Sequence, residues 1–137
     1  MSNYLIIPLL FLGGVLAAQT EVRKVPVQPT PASSGPEMYK TYCASCHGLD
    51  GKGRGPAAAA MKAPLPDLTT LSRRNGGKYP ELRVVNSING EAGLSAHGGK
   101  EMPVWGYVFR EMKGGSGEEA SLRLRNLTRH IQSLQQP

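Results

Sequence analysis

The sequence predicts an all-α domain of about four to five short helices, and three observations predict it. Apolar residues recur at helical spacing twice: Val84, Val85 and Ile88 after Pro80, and Ala120, Leu124, Leu127, Ile131 and Leu134 after Ser116. Start and stop signals bracket these stripes. Ser116-Gly-Glu-Glu119 has the form of a capping box, while Gly48 and Gly90 mark helix ends. The third observation is Cys43-Ala44-Ser45-Cys46-His47, the pattern that attaches c-type haem. Two thiols three residues apart reach the vinyl groups on one edge of a porphyrin, and the adjacent imidazole turns toward the iron. The domain is therefore expected to wrap around one covalently bound haem.

The elements follow in order along the chain. Tyr4 to Ala18 is an apolar run of 15 residues, within the range of a signal h-region and short of the ~20 that span a bilayer. Small residues at Ala17 and Ala18 offer a cleavage site, although no Lys or Arg precedes the run. Residues 1–18 read as a signal peptide or amino-terminal anchor. Residues 19–35, with Pro26, Pro29 and Pro31, read as an extended linker, a membrane tether if the leader stays and a frayed terminus if it is removed. Residues 36–137 form the folded domain.

A first helix is predicted from near Ser34, with Pro36 in its first turn, into the cysteine motif. Four glycines between Gly48 and Gly55 predict a tight irregular loop beside a flat object. Leu65, Leu68 and Leu71 predict a short helical wall, and a helix follows Pro80.

A Cys-x-x-Cys pair also occurs in thioredoxin-like redox sites, zinc sites and structural disulfides. Zinc needs further ligands, yet the chain holds two cysteines and its other histidines, His97 and His130, are solitary. A dithiol oxidoreductase carries a βαβ pattern, which is absent. For the second axial position, Met1 lies in the leader, Met38 sits too close before the tether, and Met61 and Met112 fall in helical or near-helical segments. Met102 lies in the Gly- and Pro-punctuated loop His97 to Gly106, 55 residues after His47. Pro103 pushes it toward an extended conformation that presents the sulfur. The bland alternative is that Met102 fills an apolar gap. His97 is the rival ligand in the same loop.

The combination Tyr39-Lys-Thr-Tyr-Cys-Ala-Ser-Cys-His-Gly-Leu-Asp-Gly-Lys-Gly-Arg-Gly-Pro56, then Pro66-Asp-Leu-Thr69, then Lys100-Glu-Met-Pro-Val-Trp-Gly106 resembles the small monohaem class I cytochromes c of bacteria. The resemblance runs from about Gly35 to Gln135 and implies the cytochrome c fold, with haem c and its iron as cofactor. It implies that the Pro56 carbonyl accepts the Nδ1 proton of His47, the alternative being a rigid turn. The Trp105 indole donates to a haem propionate or to a backbone carbonyl. Arg73, or its neighbour Arg74, neutralises a propionate or is simply a solvated charge. The resemblance further implies that the last helix crosses the first beside Tyr39 and Tyr42; one departure there is His130, where many relatives carry an aromatic residue. Thioether attachment in such proteins takes place outside the cytoplasmic membrane, which agrees with an exported, periplasmic chain, free or attached to the outer face of that membrane through residues 4–18.

A formal net charge of +6 suits docking on acidic redox partners, such as a membrane-bound oxidase or dehydrogenase. Nucleic acid is excluded as a partner, since no basic helix or aromatic sheet motif accompanies the charge. The expected function is single-electron transfer with His47 and Met102 as axial ligands, and not enzymatic catalysis. The alternatives are an anchored electron-entry subunit of a larger complex, or a haem peroxidase or gas sensor with an open sixth position. Methionine at that position weighs against the last, as does the single Cys-x-x-Cys-His.

Overall fold

A computed structural model describes residues 27–91, 102–112 and 116–137. The leader and His97 lie outside the described residues. Helix α1 (Gly35–Met38), a π-helical turn (Tyr39–Cys43) and α2 (Ala44–His47) follow one another without a break. The predicted start is observed: Ser34 Oγ accepts from the Glu37 amide at 3.3 Å, and Pro36 lies in the first turn. Gly48 ends the run with φ 79°, a conformation costly for any residue with a Cβ. The π-turn adds one residue to the helical circuit, shown by the Ala44 amide bonding to the Tyr39 carbonyl. It buries Tyr39, Tyr42 and Cys43 together.

The glycine-rich loop folds back along this helix end. The amides of Gly53, Gly55 and Ala57 donate to the carbonyls of His47, Cys46 and Ser45 at 2.8, 2.9 and 2.8 Å. A Cβ on Gly55 would lie 2.3 Å from the Ser45 oxygen, so only glycine permits the approach. The predicted helical wall is smaller than expected. Leu68–Thr70 forms one 3₁₀ turn, capped by Asp67 accepting from the Thr69 amide at 2.8 Å. Leu65 stays outside it because Pro64 and Pro66 flank it and hold the chain extended.

Helix α3 (Glu81–Asn89) buries Val84 and Ile88 and ends at left-handed Gly90, φ 80°. Helix α4 (Trp105–Glu111) buries Trp105, Gly106 and Phe109. Trp105, read from the sequence as part of a loop, opens this helix, with Val104 at the N-cap position. Helix α5 (Gly117–Ser133) starts at Ser116, whose hydroxyl accepts from the Glu119 amide at 3.1 Å. No strand occurs among the described residues, so the domain is all-α. No helix among them is long and apolar enough to cross a membrane.

Helix α5 packs against α1, α3 and α4. It meets α1 backbone to backbone: a Cβ on Gly35 would sit 2.3 Å from the Asn126 oxygen and 3.0 Å from the His130 Cβ. Rings of Tyr39 and His130 pack 5.1 Å apart beside that crossing. Met38, Phe109 and Leu127 are fully buried, and Tyr42, Trp105 and Phe109 form a ring cluster with centroids 5.1 to 5.8 Å apart.

One segment departs from expectation. The end of the predicted linker is docked: Tyr42 donates to the Gln28 carbonyl at 2.8 Å and accepts from the Thr30 amide at 3.1 Å. Arg123 donates to the Thr30 carbonyl at 2.6 Å, and Asn126 to that of Ala32 at 2.9 Å. Pro29 and Pro31 bring no amide donors, so the segment presents chiefly carbonyls, and these side chains satisfy them.

Candidate haem site

Two adjoining cavities open beside the cysteine motif. The larger, of about 200 Å³, is walled by Leu68, Leu71, Val84, Ile88 and Ile131, with Arg74, Arg83 and Ser87 among its polar groups. The smaller, of about 60 Å³, is bounded by Tyr42, Met61, Leu65, Pro103 and Trp105, and by Cys46. Cys43, His47, Pro66 and Met102 line both. Two separate stretches of chain, residues 43–47 and the segment at Met102, thus deliver two thiols, one imidazole and one thioether to a single apolar slot.

Each donor is positioned by local structure. Cys43 closes the π-turn and is buried, while Cys46 and His47, on the last turn of α2, are half-buried. Burial, with Cys46 beside it, pushes the Cys43 thiol up to about 12, so before haem is attached it is protonated at neutral pH. Neither cysteine is in a disulfide. Met102 is half-buried and packs against the apolar core. Among the described residues no group of three or more His, Cys, Asp or Glu is placed to hold a metal ion. Imidazole and thioether facing an apolar slot, with thiols at its edge, suit a metal chelated in a macrocycle rather than a bare ion. The residues therefore fit haem.

The Cytochrome c family model matches residues 32–117. The chain belongs to the cytochrome c family. No curated protein and no solved structure matches it. The matched span contains the cysteine motif, the glycine loop, Met102 and Trp105. It is a class I cytochrome c, with haem c attached covalently and iron at its centre, and its work is haem-based electron transfer.

The remaining predicted site residues are placed unevenly in this cytochrome c. Pro56 is exposed, between Gly55 and Ala57, whose amides hold the loop against Cys46 and Ser45; that sets it beside the His47 segment. The Nδ1 atom of His47 is buried. Trp105 lines the smaller cavity at the Cys46 end and is buried against Tyr42 and Phe109. Arg73 is exposed and lines neither cavity; Arg74, next to it on the same 3₁₀ turn (Arg73–Asn75), does. Successive residues on such a turn point about 120° apart, so the neighbour reaches the slot. Arg83 and Ser87 also line it and were not singled out from the sequence. Their spacing from Val84 and Ile88 on α3 was the available signal.

Proposed function

We propose that this cytochrome c is a single-electron carrier with iron held between His47 and Met102, and that it catalyses no other chemistry. The supporting observation is that these two side chains line the same pair of cavities, together with Cys43. Haem, when bound, supplies a reversible one-electron couple. The chain supplies the rest. His47 sits on the final turn of α2, with its carbonyl tied to the Gly53 amide at 2.8 Å. The Pro56 carbonyl orients its imidazole and raises its basicity. The apolar walls keep water from the metal, and methionine as the second ligand holds the potential above that of a bis-histidine site.

The apolar run at residues 4–18 supports export to the periplasm, and the net charge of +6 supports electrostatic docking on acidic partners, such as a membrane-bound oxidase or dehydrogenase. Met102→Ala tests the ligand assignment. The expected variant keeps its covalent pigment, has a lower midpoint potential and binds carbon monoxide in the ferrous state. An unchanged absorption spectrum and potential would mean that another side chain fills the sixth position.

A further inference from the structure

Tyr42 stands between the docked amino-terminal segment and the wall of the haem slot. Its hydroxyl accepts from the Thr30 amide at 3.1 Å and from the Thr30 hydroxyl at 3.0 Å, and donates to the Gln28 carbonyl at 2.8 Å. The residue is buried, one position before Cys43 in the π-turn, and lines the smaller cavity with Met102, Pro103 and Trp105. One side chain thus touches both the segment and the cofactor site.

The same side chain spans helix α4. Its ring packs on Trp105 and Phe109 with centroids 5.1 and 5.7 Å away, and its hydroxyl lies 4.0 Å from the sulfur of Met112 at the C-cap. Met102 enters the slot three residues before that helix begins. A phenylalanine would make the same ring contacts without burying a hydroxyl, so the polar group serves the segment.

Hydrogen bonds hold the segment more than burial does. Thr30 and Ala32 are half-buried, whereas Gln28, Pro29 and Pro31 are exposed, and Arg123 and Asn126 bind the carbonyls of Thr30 and Ala32. An element with so few apolar contacts leaves its seat without unfolding of the core. Once it leaves, the Tyr42 hydroxyl has lost its partners at residues 28–30, and a buried hydroxyl left unsatisfied favours movement of the ring toward water, away from Trp105.

We propose that the segment 28–32 keeps Met102 on the iron, with Tyr42 as the positioning residue that transmits its hold to the start of α4. The proposal rests on the His47 and Met102 reading given above. With the segment seated, detachment of Met102 also requires the Tyr42 contacts to give way. With it released, the thioether leaves more often, although the resting ligation is the same.

The test is the rate at which excess imidazole replaces Met102 on the ferric mature holoprotein, followed by stopped-flow absorbance, since entry of imidazole requires local opening on the Met102 side. The variants are Tyr42→Phe, Arg123→Ala, the double variant and Tyr79→Phe. The last is the control: it removes a bond of similar kind, to the Thr128 carbonyl at 3.0 Å, from a residue that lines neither cavity. Tyr42→Phe and Arg123→Ala are expected to keep the resting spectrum and each to raise the rate about tenfold. The double variant falls well short of the product of the two effects, because both act through one contact, and Tyr79→Phe exchanges at the wild-type rate. An unchanged rate in Tyr42→Phe or Arg123→Ala, a double variant equal to the product, or an equal rise in Tyr79→Phe would overturn the proposal. Should Arg123→Ala fail to mature, Asn126→Ala, which frees the segment at Ala32, takes its place. Failure of the ligand reading is seen separately, as a Met102→Ala protein that takes up imidazole no faster than wild type.

Discussion

The Tyr39 hydroxyl donates to the Gly48 carbonyl oxygen at 2.9 Å. This buried bond joins the start of the π-turn to the residue that terminates the haem-binding helix. It ties the geometry of the cysteine motif to the helix crossing, because the same ring packs on His130. Burial, with Cys43 and Asp50 nearby, raises the Tyr39 pKa, so the hydroxyl keeps its proton throughout the neutral range. Tyr39→Phe keeps the ring and leaves the carbonyl unsatisfied, an expected loss of about 1–2 kcal/mol. Denaturant unfolding of the holoprotein checks it, and an unchanged midpoint would show that the bond is dispensable.

Arg123 is the most buried charge in the described structure, at 3% exposure. Its guanidinium bonds to the Thr30 carbonyl and to Glu119 at 2.7 Å, so it joins the docked segment to the first turn of α5. Arg123→Ala strands both partners and is expected to cost about 2–3 kcal/mol. Residues 28–32 should become cleavable by protease under native conditions, while the haem spectrum stays the same. Equal resistance in variant and wild type would show that the other bonds, from Tyr42 and Asn126, suffice.

His130 gives the helix crossing a pH dependence. Burial lowers its pKa from 6.5. As pH falls through about 6.5, the unfolded chain takes up a proton that the native imidazole resists, so unfolding becomes easier. The stability associated with neutral His130 is thus complete above that value and is lost on acidification below it. His130→Phe should flatten this part of the stability profile. Urea unfolding between about pH 7.5 and pH 5 measures both slopes, and identical slopes would remove His130 as the cause.

Much of this arrangement was legible in the sequence because it is local. Cys43, Cys46 and His47 carry their chemistry in five adjacent residues, and Ser34, Ser116, Gly48 and Gly90 mark helix ends by capping that spans three or four positions. The stripe on α5 also reads directly, although Arg123 and Thr128 share the buried face with Ala120, Leu127 and Ile131. What stayed hidden depends on distant partners. The docking of Gln28 to Ala32 is decided by Tyr42, Arg123 and Asn126, which proline-rich composition does not disclose. The choice between Arg73 and Arg74 depends on the rotation of one 3₁₀ turn. The π-turn has no residue signature and is seen only through its i to i+5 bond.

Intact mass spectrometry of the purified mature protein addresses the central claim most directly. Covalent attachment at Cys43 and Cys46 predicts a polypeptide heavier by one haem, a mass that survives acid-acetone extraction. A mass equal to the bare polypeptide, with the colour released into the solvent, would contradict the account.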